Sequence, residues 1–192
     1  MPVSASNVLI GAPDQKTTGA ILCAPLGTMK PKTARDEIKG TGVEDSGYIS
    51  EDGLTLTPEY STSDINDWSG ALVRRVLESF NGTLSWAHLE TNEQSLRVWA
   101  GDVTVKAATP TTGKQLTAAL GAREHPRKQW FFRIKDGEQR VLIYVPDGQV
   151  TEAGEVTFTK SAAITWPVTL STYPDADGNS IYIFTDDGVT SA

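Results

Sequence analysis

From Ala162 to Thr172 the apolar residues Ala162, Ile164, Trp166, Val168 and Leu170 take every second position, with Ala163, Thr165, Pro167, Thr169 and Ser171 between them. A period of two marks a strand with one buried face. Pro167 lacks an N–H for the ladder, which predicts an edge strand or a bulge there. The same alternation runs through "FNGTLSWAHLE", where Phe80, Leu84 and Trp86 share one face and Asn81, Thr83 and Ser85 the other. Shorter strands are expected in "GAILCAPLG", ended by Pro25, and in "DSGYIS", "GLTLTPEYS", "ALVRRVLESF", "VTVKAAT" and "SIYIFTDDG". Asp52-Gly53 suggests a tight turn between the second and third of these. Asp136-Gly137, inside "WFFRIKDGEQRVLIYV", is the strongest hairpin signal in the chain.

The best helical signal lies just after "FNGTLSWAHLE". Thr91-Asn92-Glu93-Gln94 has the form of a capping box, with Thr91 as the cap; Leu96 and Trp99 are spaced to share a face, and Gly101 can supply the stop. A second, weaker helical turn is expected in "TGKQLTAALG". Residues 1–18 read as a polar, Gly- and Pro-punctuated arm, and "TMKPKTARDEIKGTG" as a long loop. Many short strands, one capped helix and no βαβ alternation predict a mainly β fold. We expect an antiparallel β-sandwich or barrel, with one short flanking α-helix, an extended N-terminal arm and a long loop. The expected division is an arm, 1–18, and a single domain, 19–192.

Composition narrows the functional classes. The 192 residues carry a formal net charge of −7, unfavourable for gripping nucleic acid, which relies on Lys and Arg to displace counterions. Cys23 is the only cysteine, so no internal disulfide or cysteine-clustered zinc site is available. No apolar run approaches the ~20 residues of a membrane-spanning helix, and the N-terminal stretch lacks the pattern of a secretory signal.

The candidate chemistry is thin. A hydrolase triad needs a histidine between an acid and a nucleophile, yet only His88 and His125 exist and no serine sits in G-x-S-x-G. His88 lies within an amphipathic strand, which suits a hydrogen-bonded structural histidine. Gly113-Lys114 fails as a phosphate loop, because Ala108 and Gln115 stand where glycine and Ser or Thr are required. "PDADGNS" places Asp175, Asp177 and Asn179 at alternate positions like the opening of a calcium loop. Its glycine, however, falls fourth and Asp186 stands where the final glutamate belongs, so a polar turn explains it more simply. Trp86, Trp99, Trp130 and Trp166 occupy core-like positions and read as packing anchors rather than a sugar platform. No catalytic, cofactor-binding or metal-binding residue is assigned, and no cofactor is expected.

One feature is left over. Between Lys39 and Arg74 there is no basic residue, while Glu44, Asp45, Glu51, Asp52, Glu59, Asp64 and Asp67 accumulate. "REHPRKQW" gathers Arg123, Arg127 and Lys128, either a solvated loop or a counter-surface for acids on another subunit.

The order of these segments resembles a known family. "GYISEDGLTLTPEYSTSDINDWSGALVRRVLESFNGTLSWAHLE" is similar to the N-terminal half of major tail proteins, or tail tube proteins, of long-tailed bacteriophages infecting actinobacteria. The resemblance rests on the Gly47–Gly53 turn, the acidic Asp64–Gly70 segment, the Val73–Val76 strand, the Phe80–Glu93 passage into a capped helix, and "GAILCAPLGT" after the arm. It implies a structural virion protein rather than an enzyme, assembled in the host cytoplasm without a membrane. Its rings, expected to be hexameric, stack head to tail around a tape-measure protein, between tail-tip and tail-terminator proteins, and let DNA pass non-specifically on ejection. Within such a tube, Glu51, Asp52, Glu59, Asp64 and Asp67 are candidates for an acidic lumen or inter-ring surface, and Arg123, Arg127 and Lys128 for its basic counter-surface. A carbohydrate-binding module of a tail tip and an inner-tube protein of a contractile injection system stand as alternatives.

Overall fold

The computed structural model describes residues 8–14 and 19–189. Its strands, in chain order, are β1 (Ile21–Ala24), β2 (Glu44–Asp45), β3 (Ile49–Asn66), β4 (Leu72–His88), β5 (Val103–Lys106), β6 (Gln115–Ala118), β7 (Lys128–Asp136), β8 (Gln139–Ala153), β9 (Trp166–Thr172) and β10 (Tyr182–Asp186); the helix α1 (Glu93–Ala100) follows β4. Eight strands form one antiparallel sheet in the order β2-β1-β7-β8-β9-β4-β3, with β10 also on β8, while β5 and β6 make a separate pair. The expected mainly β antiparallel architecture with one short helix is what the chain adopts.

Strand β8 organises the sheet. Its first half pairs with β10, from Arg140↔Asp186 to Tyr144↔Tyr182, and its second half with β9, from Gly148↔Thr172 to Ala153↔Val168. Register shifts against β7 and β9 mark bulges at which a strand bends. The sheet consequently folds over. Strands β7 and β4 are separated in the sheet by β8 and β9, a distance of roughly 14 Å if flat, yet the rings of Trp86 on β4 and Phe132 on β7 lie 5.3 Å apart. Trp86, Trp130, Phe132, Ile143, Val145 and Leu170 fill the enclosed core. The opposite face of β1, β7 and β8 carries a second cluster around Phe131, Leu142 and Tyr144, covered by Ile38 from the long loop between β1 and β2.

Several local expectations are corrected. The runs from Ile49 to Asn66 and from Leu72 to His88 are two long strands rather than four short ones. Asp52-Gly53 is no hairpin turn but part of a bulge between the Ile49↔His88 and Leu54↔Trp86 pairs. Gly53 takes the positive φ of 71° that this excursion requires. "TGKQLTAALG" supplies strand β6, not a helical turn, because pairing with β5 opposes Leu116 to Val105. The helix cap is Asn92: its side chain accepts from the Ser95 N–H at 2.8 Å and the Ser95 hydroxyl accepts from the Asn92 N–H at 3.0 Å. Thr91 instead accepts the Trp166 indole N–H at 3.1 Å. Strand β9 is central, flanked by β8 and β4, with Pro167 near its start, where the ladder begins. The Asp136-Gly137 hairpin, the Gly101 helix stop and the burial of Trp86, Trp130 and Trp166 are as the sequence predicts. Of the expected arm, residues 8–14 lie along β7, where Lys135 N–H donates to Ala12 O at 2.8 Å and Arg140 pairs with Asp14 at 2.8 Å; 1–7 and 15–18 lie outside the described residues.

Candidate assembly surface

Strand β9 pairs with β4 only from Thr83 to His88, whereas β3 pairs with β4 along its whole length. Beyond Thr83, therefore, β3 and β4 run on as a two-stranded ribbon of ~10 residues per strand, reaching about 30 Å from the folded sheet. Its base is fixed where Thr172 Oγ1 donates to Gly82 O at 2.9 Å. A Cβ at Gly82 would meet the side chains of Ile181 and Thr172 within 2.8 Å, so any larger residue displaces them where the ribbon leaves the domain. At the far end Asp67 holds the turn by accepting from the N–H groups of Ser69 (2.8 Å) and Ala71 (2.9 Å) and the Ser69 hydroxyl (2.7 Å).

The ribbon is amphipathic near the domain. Cross-strand partners share a face, so the face carrying half-buried Leu56 opposite buried Leu84 continues through Pro58↔Gly82, Tyr60↔Phe80 and Thr62↔Leu77 to Asp64↔Arg75. The other face presents Glu59↔Asn81 and Ser61↔Ser79 near the domain and Ser63↔Val76 and Ile65↔Arg74 toward the tip. Tyr60, Leu77, Phe80, Leu72, Val73 and Trp68 are exposed, although Tyr60 and Phe80 touch each other at 5.0 Å. So many exposed large apolar side chains on one projecting element mark an interaction site. The ribbon's outer backbone edges are also unpaired among the described residues, open to a further strand.

The charged residues singled out by sequence fall in different settings. Glu51 and Asp52 are exposed in the β3 bulge, and Glu59 is exposed on the ribbon's polar face. Asp64 is engaged within its own chain, accepting from Arg75 Nε at 2.7 Å and Nη2 at 2.9 Å. That guanidinium holds the Asp64 carboxyl below the usual range, as the Ser69 and Ala71 donors do for Asp67. The three basic residues also have partners in their own chain. Arg123 pairs with Asp102, Arg127 pairs with Asp147 while lying 4.2 Å from the Tyr173 ring centroid, and Lys128 pairs with Glu44.

Other chemistry-bearing groups are absorbed by structure. Lys30 Nζ donates to Asp175 Oδ2 at 3.3 Å, Asp177 Oδ2 at 2.9 Å and Tyr182 Oη at 3.0 Å, so an ammonium occupies the carboxylates of the calcium-like turn. The Tyr182 hydroxyl and backbone donors bring Asp175 down to about 2. Burial pushes the Cys23 thiol up to about 12, out of the reactive range. His88 Nε2 accepts the Trp86 indole N–H at 3.0 Å, placing the ring proton on Nδ1 toward the Ser46 backbone. Burial lowers His88 to about 4, and it stays neutral near pH 7.

The ribbon escaped the sequence reading because "DINDWSG" reads as an acidic loop between unrelated strands. Two signals point to it: Asp67 followed two positions later by Ser69, which is Asx-turn chemistry, and apolar residues on both sides of that turn with no apolar partner nearby in sequence.

The whole chain, residues 1–192, matches the family model described as "Phage tail tube protein". No curated protein matches it. Among solved structures it is similar to the anti-feeding prophage tube-terminating cap, at 11% identity and a TM-score of 0.46 over 96% of this chain and 100% of that one. It is also similar to a protein in the virion of a native gene transfer agent particle, at 9% identity and a TM-score of 0.37 over 75% of this chain and 88% of that one.

Proposed function

The chain belongs to the phage tail tube protein family, and from that premise we propose that it polymerises as stacked, hexameric rings around a tape-measure protein, between tail-tip and tail-terminator proteins, to form the conduit for DNA ejection. As a tail tube subunit it is a structural component of the virion tail, not an enzyme. A long, non-contractile tail of the kind carried by phages of actinobacteria is the specific setting, supported by the order of segments between Gly47 and Glu93. The observation that carries the reading is the ribbon: a hydrogen-bonded hairpin whose exposed apolar side chains and backbone edges have no cover among the described residues. In a head-to-tail assembly the neighbouring copy provides that cover, and the contact repeats without closing along the axis.

Glu51, Asp52 and Glu59 remain the acids available to an inter-ring or lumen surface, since they make no ion pair among the described residues. A like-charged bore weakens phosphate adhesion and lets DNA slide. Any role for Arg123, Arg127 and Lys128 as a counter-surface requires exchange of their partners Asp102, Asp147 and Glu44.

Electron microscopy of the purified chain, alone or with its tail-tip complex, tests polymerisation: tubes are expected. A chain that stays monomeric under every assembly condition and is missing from virions defeats the reading. A gene for a contractile sheath beside this one would reassign it to a contractile system.

A further inference from the structure

The two ends of the β3–β4 ribbon are complementary to each other. At its tip the indole of Trp68 is fully exposed, mounted on the turn that Asp67 braces. A large aromatic presented on a hydrogen-bonded turn is a common anchor of a protein interface, because it buries a large apolar area for the loss of only two side-chain torsions. At the root, where β3 begins, a groove of about 250 Å³ opens between β1, β7 and the β3 bulge, with walls from Ile21, Ile49, Leu54, Phe132, Ile134 and Pro13. It is smaller than the ~300–1,000 Å³ of typical small-molecule sites and mostly apolar, dimensions that suit one large aromatic side chain. Charge follows the same polarity. Exposed Glu51 lines the groove together with Arg133, whose guanidinium is engaged by the Asp14 carbonyl at 2.9 Å; exposed Arg74 stands near the tip opposite Ile65, and neither Glu51 nor Arg74 has an ion-pair partner among the described residues.

We propose that Trp68 of one copy inserts into the groove of the next, with Arg74 meeting Glu51. This inference rests on the tube reading and gives it a specific contact. Insertion within one chain is prevented by the ribbon itself. Leu54 in the groove wall and Asn66 beside the tip lie on one hydrogen-bonded strand, about 40 Å apart at ~3.3 Å per residue. A knob and a hole at opposite ends of a stiff element can join copies head to tail, the heterologous contact that an open-ended assembly uses, whereas reciprocal insertion between two antiparallel copies would stop at a dimer. The repeat between copies along the ribbon is then no more than about 40 Å.

The test uses the full chain assembled with its tail-tip complex. Trp68→Ala should lower tube yield at least tenfold while leaving the monomer's thermal melt unchanged. Glu51→Arg and Arg74→Glu should each impair assembly and together restore it. Tubes carrying Asn66→Cys with Pro13→Cys, Trp68 left in place, should form, on oxidation, a ladder of covalently linked copies that Asn66→Cys alone does not give. Trp68→Ala tubes at wild-type yield, or assembled double-cysteine tubes without the ladder, overturn the insertion and leave the tube reading standing; the second result also covers a groove filled by another segment of the same copy. Wild-type protein that never forms tubes and is absent from virions overturns the reading beneath it.

Discussion

Strand β4 lives in two environments. From Gly82 to His88 every second residue is buried, with Leu84, Trp86 and His88 in the core, while from Leu72 to Asn81 nearly every residue is exposed, including Leu72, Val73, Leu77 and Phe80. The covalent pattern differs little between the halves, since both carry large apolar residues on a hydrogen-bonded ladder with β3. What differs is the cover. β9 and the folded-over β7 close one half, and nothing within the described chain closes the other. Apolar side chains in the first half therefore stabilise the monomer, whereas those in the second contribute when another copy arrives.

Truncation at the buried end should have the largest effect. Trp86→Ala removes ring contacts with Trp130 and Phe132 and the hydrogen bond to His88, and should cost about 3–5 kcal/mol of monomer stability in denaturant titration. A loss under 1 kcal/mol would mean that the two halves of β4 are not energetically distinct.

Acid probes the same buried end next. His88 sits near 4 when folded against an ordinary 6.5, so as pH falls the unfolded chain takes up the proton first. Its contribution is complete above about 6.5, declines between 6.5 and 4, and amounts to at most about 3 kcal/mol. Melting curves across that window should show the decline, and His88→Gln should flatten it; a wild-type profile that is already flat would place His88 outside the core's energetics.

Ribbon substitutions should separate stability from assembly. Tyr60→Ser with Leu77→Ser should change monomer stability by less than about 1 kcal/mol yet prevent tube formation, read by calorimetry and by sedimentation. Equal losses in both assays would erase the distinction. The smallest effect belongs to Asp64→Asn. The Asp64–Arg75 pair is exposed and screened, so its removal should leave the thermal midpoint almost unmoved, with any difference vanishing in high salt.

Elements whose signals are local were legible in the chain. The Asp136-Gly137 hairpin and the Gly101 helix stop each depend on neighbours a few positions away, and each is found where expected; the alternation expected from Ala162 to Thr172 is a strand only from Trp166 onward, with Ala162–Thr165 outside it. Misreadings occurred where a distant partner decides. Asp52-Gly53 has turn chemistry, but pairing of Leu54 with Trp86 makes it a bulge; Pro167 has edge chemistry, but β8 and β4 both reach its strand. The polar turn expected at Asp175–Ser180 is present, with Lys30 seated on its carboxylates. The candidate surface divides the same way. The sequence by itself determined a mainly β chain, with an acid-only stretch and no catalytic constellation, because composition and periodicity are properties of neighbouring residues. Only the tertiary structure decided that Asp64 and Asp67 are engaged at home, that Glu51 borders an apolar groove, and that Trp68 stands alone at the end of a ribbon. Those facts depend on which strands cover one another, and cover is a contact between residues far apart in the chain.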